Sequence, residues 1–129
     1  MNGRYLLDTN VIIDLLANEE TVRTKLGEAE EAFVSSIAIG ELYYGAEKST
    51  RPAENLSRIN EFAEITTVLG CDIQTARHYG QIKNMLRAKG RPVPENDLWI
   101  AAVARQHGLT LVSRDKHFSE IEELPIVCW

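Results

Sequence analysis

The sequence has no long hydrophobic run. Its longest apolar stretches, such as Val11–Ile13 and Leu109–Val112, fall far short of the roughly 20 residues that a membrane-spanning helix needs. Acidic residues interrupt the N-terminal stretch Tyr5–Leu16 and no small-residue cleavage site follows, so no signal peptide is expected. These absences predict a cytoplasmic protein.

Cysteine is scarce, and segments that could link two domains are missing. The two cysteines, Cys71 and Cys128, form no Cys-x-x-Cys pair and lie beside apolar segments, which predicts buried, reduced thiols. The chain has no internal repeat and no Gly/Ser-rich linker. Its 129 residues therefore predict one domain, residues 1–129, with a hydrophobic core of its own.

An excess of basic residues is also absent. The formal net charge of −5 argues against a general nucleic-acid-binding protein, which usually has a basic surface. It does not exclude a nuclease, because bound divalent cations would make an acidic site positive. Basic residues are grouped before Asp97 and on both sides of Asp115, where a solvated face and phosphate contact are about equally plausible.

Short apolar segments alternate with amphipathic segments along the chain. Strands are predicted at Tyr5–Leu7, Ala32–Ser35, Thr67–Leu69, Leu109–Val112 and Ile126–Cys128. Helices are predicted over Val11–Ala17, over Glu20–Glu30, from Ser35 or Ser36 to about Glu47, from Arg51-Pro52 to about Ile65, from Asp72 to Gly90, and over Asp97–His107 with Asn96 as its N-cap. This alternation predicts an α/β fold with a central, mainly parallel sheet of four to five strands, covered on both faces.

Four acidic residues lie where these elements could bring them together. Asp8 follows the first strand, Asp115 follows the fourth, Asp97 is in the first turn of a helix, and Glu41 is one to two turns into the helix after the second strand. Ligands of open parallel sheets bind beyond the carboxyl ends of the strands. Clustered carboxylates repel one another, and a hard divalent cation such as Mg²⁺ or Mn²⁺ relieves that repulsion. The pattern indicates a metal-dependent phosphodiesterase.

Each acid also has a purely structural explanation. Asp8 could cap a helix, Asp97 could interact with the helix dipole, Asp115 could be a turn residue, and Glu41 could be an ordinary exposed side chain. It is the joint occurrence of all four that favours a site.

Four segments in order resemble one known family: Leu-Leu-Asp-Thr-Asn-Val at 6–11, Glu-Leu-Tyr-Tyr-Gly at 41–45, Asn-Asp-Leu-Trp-Ile-Ala-Ala at 96–102, and Leu-Val-Ser-Arg-Asp-Lys-His-Phe at 111–118. The chain resembles the PIN-domain ribonucleases along its whole length, most closely the VapC-type toxins of toxin–antitoxin pairs. The resemblance implies a three-layer α/β/α domain that cuts RNA with water activated by one or two Mg²⁺ or Mn²⁺ ions.

The resemblance also assigns roles to residues. It implies catalytic metal ligands at Asp8, Glu41, Asp97 and Asp115, and polar companions that orient them or contact phosphate at Thr9, Asn10, Asn96 and Ser113. Threonine is common in the family at the position of Ser113, so the hydroxyl is retained. Arg91, Arg114 and Lys116 are candidates for contact with the RNA backbone. The implied partner is a VapB-type antitoxin, in a homodimer or a toxin–antitoxin hetero-oligomer, and Leu42, Tyr43 and Tyr44 are candidates for that contact.

Three other interpretations stay open from the residues. Histidines could support a metal-free cut through the RNA 2′-hydroxyl, but His78 is expected to be structural and His117 to pack. A phospho-accepting receiver domain would need an acidic doublet near Asp8, which is missing. A PIN-like domain could also bind a partner without catalysis.

Overall fold

The computed structural model describes residues 3–129, and its centre is one five-stranded sheet in the order β3-β2-β1-β4-β5. All strand pairs are parallel. The strands are β1 Arg4–Leu7, β2 Glu31–Ser35, β3 Thr67–Leu69, β4 Thr110–Val112 and β5 Ile126–Val127. The helices are α1 Thr9–Leu16, α2 Glu20–Glu28, α3 Ser36–Glu47, α4 Pro52–Ile65, α5 Ile73–Lys89 and α6 Glu95–Gln106, with a short 3₁₀ helix at Lys116–Glu120. The predicted parallel α/β fold is confirmed.

The order of the strands creates a switch point beside β1. From β1 the chain moves outward to β2 and β3, and then returns across the sheet to β4 and β5. With the right-handed crossovers that parallel strands adopt, this order places α1–α4 on one face and α5 and α6 on the other. The reversal falls between β1 and β4, which pair with Leu6 opposite Leu111 and Leu7 opposite Val112. Ligands of open α/β sheets bind at such a reversal.

The core fixes the segments that leave the sheet at this point. Leu6 and Leu7 of β1 and Val11 and Ile12 of α1 are buried on either side of Asp8. In α6, Leu98 and every residue of Ile100–Ala104 are buried, because the small alanines let this helix pack closely against its neighbours. The segments that carry Asp8 and Asp97 to the switch point are therefore rigidly anchored. No helix in the described part of the chain is long and apolar enough to cross a membrane.

Three local predictions were wrong. α6 begins at Glu95 after Pro94, so Asn96 is an exposed residue of the first turn and not the N-cap. Cys71 and Cys128 are both exposed. They lie beyond the ends of β3 and β5, the two edge strands of the sheet, where fewer neighbouring elements are present to cover them.

Candidate active site

Asp8 is the most constrained of the four acids. It is 5% exposed and is the N-cap of α1, and its backbone N–H donates to the Val112 carbonyl of β4 at 3.0 Å. Its carboxylate accepts from the Thr9 N–H at 2.9 Å and from the Ser113 hydroxyl at 2.8 Å. Burial raises the pKa of Asp8 against these hydrogen bonds, and the negative charges of Glu41 and Asp115 raise it further. The fold thus holds a carboxylate in a setting that disfavours its charge.

Ser113 joins two of the acids. Its side chain is 3% exposed, and its hydroxyl donates to Asp8 Oδ2 while accepting from the backbone N–H of Asp115 at 3.0 Å. One buried hydroxyl therefore connects the end of β1 to the loop after β4. This supports the predicted role of Ser113 as a companion that orients ligands.

Glu41 reaches the same region from α3. Ser35, the last residue of β2, caps that helix through a hydrogen bond from the Ala38 N–H at 3.0 Å, so α3 begins directly at the edge of the sheet. The half-buried Glu41 accepts a 2.6 Å hydrogen bond from the Thr9 hydroxyl through its Oε1 atom. Since Thr9 follows Asp8, this contact links the acid of α3 to the acid of β1.

The pKa of Asp97 depends on the charges of the other three acids. It is half-buried in the first turn of α6. Burial, followed by the negative charges of Asp8, Asp115 and Glu41, raises its pKa from 3.8 to about 6, and nearby His117 acts in the opposite direction. The structure therefore brings the four predicted acids into one electrostatic neighbourhood, which we call the carboxylate cluster.

Asp115 has a partner that sequence reasoning missed. Its Oδ1 atom accepts a hydrogen bond from the backbone N–H of His117 at 2.9 Å and lies 2.9 Å from Nδ1 of the same residue. His117 was expected to pack, but its side chain is 60% exposed. The available signal was the Asp-x-His spacing at the start of a tight turn, which returns the imidazole to the preceding carboxylate.

The cluster is open and not a closed metal cage. Among residues 3–129, no three Asp, Glu, His or Cys side chains are gathered closely enough to form a ready-made metal site. Hydrogen bonds from Thr9, Ser113 and His117 each fix one oxygen of Glu41, Asp8 and Asp115. All four nevertheless offer hard oxygen donors, and their mutual repulsion favours a positive charge between them. These residues fit Mg²⁺, which keeps several of its own waters and needs few protein ligands.

The remaining predicted site residues are the polar companions of the acids and the basic candidates for RNA contact. Thr9 and Asn96 line an open groove of about 660 Å³ together with Glu41, whereas Asn10 is exposed on the first turn of α1. The three basic candidates lie near the loop after β4 or on the loop before α6. Arg114 pairs with Asp14 and Glu19, Arg91 pairs with Glu120 at 3.3 Å, and Lys116 is exposed.

The chain matches known proteins over nearly its whole length. The sequence signature of the PIN domain matches residues 5–124. The chain is 39% identical to "Ribonuclease VapC2" of Haemophilus influenzae and 37% identical to "tRNA(fMet)-specific endonuclease VapC" of Salmonella typhimurium, with 98% of each chain covered in both cases. The fold is similar to that in the crystal structure of DNA-bound VapBC from Salmonella typhimurium, with a TM-score of 0.91 and 37% identity over 100% of this chain and 99% of the other.

A second solved structure, VapBC2 of Rickettsia felis bound to a fragment of promoter DNA, matches with a TM-score of 0.90 and 27% identity over 98% of both chains. Signature, full-length relatives and fold all agree with one another. This chain is a member of the PIN domain family, and the relatives to which it is similar are VapC ribonucleases.

Proposed function

We propose that this chain is a metal-dependent endoribonuclease and the toxin of a VapBC-type toxin–antitoxin pair. The observation that carries the proposal is the carboxylate cluster, in which burial and three like charges raise the pKa of Asp97 to about 6. A fold keeps such repulsion where function requires it. The names of the relatives, which are ribonucleases and a tRNA-specific endonuclease, support RNA as the substrate.

Asp8, Glu41, Asp97 and Asp115 would hold one or two Mg²⁺ or Mn²⁺ ions. When bound, such an ion polarises the scissile phosphate and lowers the pKa of the attacking water. The cluster has the oxygen chemistry that these cations prefer, and its net negative charge favours their binding.

The side chains around the cluster have orienting roles. Ser113 keeps Asp8 and the loop of Asp115 in register, because its hydroxyl contacts both. Thr9 directs one oxygen of Glu41 through its 2.6 Å hydrogen bond, which leaves the other oxygen to bind a cation or to orient the water. Hydrogen bonds of this kind fix ligand geometry and cost about 10–100-fold in metal affinity or activity when removed.

The proposal is tested by incubating purified protein with RNA in Mg²⁺, in Mn²⁺, and in excess chelator. We expect cleavage with the cations and none with the chelator. Asp8→Asn keeps the shape of the side chain but removes its charge, and should lower the rate at least about 100-fold. Glu61→Gln, an exposed residue of α4, is the control for loss of one negative charge. Cleavage that survives both the chelator and Asp8→Asn would contradict the metal mechanism.

The chemistry of the product ends separates this mechanism from a histidine-based cut. Attack by water leaves a 5′-phosphate and a 3′-hydroxyl, whereas attack by the RNA 2′-hydroxyl leaves a cyclic phosphate. His117 is exposed beside Asp115, but His78 accepts a hydrogen bond from Arg105 at 3.0 Å on the face between α5 and α6. The two histidines belong to different parts of the molecule, so the structure favours water attack.

The same proposal includes a VapB-type antitoxin as partner, since the similar solved structures are VapBC complexes. An apolar groove of about 340 Å³ between α1, α3 and α4 begins beside Thr9 and Glu41. Of the predicted contact residues, Leu42 is buried in the core, Tyr43 bonds to Asn60, and Tyr44 is 67% exposed. Tyr44 is therefore the strongest candidate for contact, and an antitoxin basic side chain among the carboxylates would block the site.

A further inference from the structure

A third groove lies beside the carboxylate cluster, next to Asp115. It has a volume of about 400 Å³ and lies between the loop Gly90–Val93 and the 3₁₀ segment, which contributes Lys116, His117, Ser119 and Glu120. We call it the basic groove. His117 belongs to both regions, because its imidazole also contacts Asp115. The basic groove therefore adjoins the proposed cleavage site through the contact between His117 and Asp115.

The loop that forms one wall has a well-defined backbone. Gly90 ends α5 in the left-handed region with a φ of 66°, and the Arg91 N–H bonds back to the Leu86 carbonyl at 3.0 Å. Pro92 and Pro94 then restrict the backbone on both sides of Val93. Arg91 is thus presented from a rigid base, which reduces the entropy lost when its side chain binds a ligand.

The basic side chains of the groove can exchange their present partners for phosphate. Arg91 and Glu120 form an ion pair at 3.3 Å with side chains 67% and 43% exposed, and such exposed pairs contribute only about 0–1 kcal/mol. Lys116 makes no ion pair within residues 3–129. Arg114 differs, because Asp14 and Glu19 both hold it toward the end of α1. Two of the three predicted basic candidates remain suited to phosphate.

We propose that the basic groove binds the sugar-phosphate backbone of the RNA strand next to the cut, with Arg91 and Lys116 contacting phosphates. This inference rests on the proposed function. No Phe, Tyr or Trp lines the groove, so it lacks the stacking platform that single-stranded bases use. Contacts to phosphate position a strand without reading its sequence. The groove therefore supplies affinity and register, and the choice of sequence lies elsewhere.

The test compares the double variant Arg91→Gln/Lys116→Gln with the wild type. We expect KM to rise about tenfold at low salt, as two lost phosphate contacts imply, and far more than kcat falls. The slope of log affinity against log salt concentration should become shallower by about 1.4. The control variant Arg23→Gln/Lys25→Gln removes two exposed cations from α2. This helix ends next to the start of β2, at the amino ends of the strands, whereas the acids lie at the carboxyl ends. The control should change neither KM nor the salt slope.

Binding is also measured in an Asp8→Asn background, where the RNA stays intact. There the two groove substitutions should weaken the affinity for RNA by the same factor. A wild-type chain that cuts no RNA overturns the proposed function, while this binding measurement still tests the groove. Unchanged KM, affinity and salt slope, equal to those of the α2 control, overturn the groove proposal alone.

Discussion

The carboxylate cluster and the basic groove meet at His117, yet they arrange charge in opposite ways. In the cluster, four charges of one sign lie together, and Asp8 is almost fully buried. In the groove, the charges of Arg91 and Glu120 are exposed and compensate each other across 3.3 Å. The groove can form at little electrostatic cost. The cluster needs the rest of the fold to hold its members in position.

The core supplies that support. Asp8 is flanked by buried residues of β1 and α1, and Asp97 precedes the buried run of α6. Burying these apolar side chains stabilises the fold by about 25 cal/mol per Å² of apolar surface, and this gain opposes the repulsion among the carboxylates. The comparison teaches that repulsive charges mark the part of this molecule shaped for a ligand, whereas paired surface charges are adaptable.

The largest effect on this contrast is expected from Ser113→Ala. The variant leaves the buried Asp8 carboxylate without a 2.8 Å donor and frees the Asp115 loop. Cleavage at limiting Mg²⁺ should fall about 10–100-fold, with the midpoint of the Mg²⁺ titration moving to higher concentration. Ser113→Thr keeps the hydroxyl and should retain a wild-type midpoint, and Ser57→Ala on the exposed face of α4 is the control. An unmoved midpoint in Ser113→Ala would mean that this hydroxyl does not orient the metal ligands.

Asp97→Asn should show the repulsion within the carboxylate cluster as a change in the free energy of unfolding. The folded-state pKa of Asp97 is raised to about 6, so its charged form destabilises the fold above that pH, and protonation removes the penalty as the pH falls toward 3.8. In chelator at pH 7.5 we expect the variant to be more stable by about 1 kcal/mol, after allowing for solvent screening of a half-exposed group. The difference should disappear below about pH 4. Chemical denaturation across this pH range measures it, and a variant less stable at every pH would contradict the repulsion.

The smallest expected effect comes from Glu120→Gln in the basic groove. Removing this carboxylate releases Arg91 from its ion pair, so KM for RNA should fall about twofold at low salt. Because exposed charges are screened, the gain should vanish at high ionic strength. Glu122→Gln, which removes the carboxylate paired with Lys89 outside the groove lining, is the matched control. If the free energy of unfolding changes by more than the free-energy equivalent of the change in KM, the ion pair is structural and not exchangeable.

Local sequence signals were sufficient for most of the secondary structure. Asp72 begins α5 by accepting from the Gln74 and Thr75 N–H groups, and Gly90 ends it in the left-handed region, as the sequence predicted. The predicted β3 was confirmed at Thr67–Leu69. These features depend on residues a few positions apart, and their physical causes are visible in the sequence itself.

Contacts between distant residues were less predictable. The sequence indicated which acids belong together, but not that Ser113 connects two of them or that Thr9 holds Glu41. It also misjudged His117 and both cysteines, because exposure depends on which elements cover a residue. The sequence also did not show that Asp14 and Glu19 lie beside Arg114, whose contact with RNA stays a prediction.

The sequence by itself determined the parallel α/β fold and the acids that follow its strands, since periodicity, capping and residue type act over short distances. Only the tertiary structure decided which charges are buried together and which are neutralised at the surface. Burial and long-range pairing are properties of the packed chain, and they set the pKa of Asp97 and the partners of each basic residue.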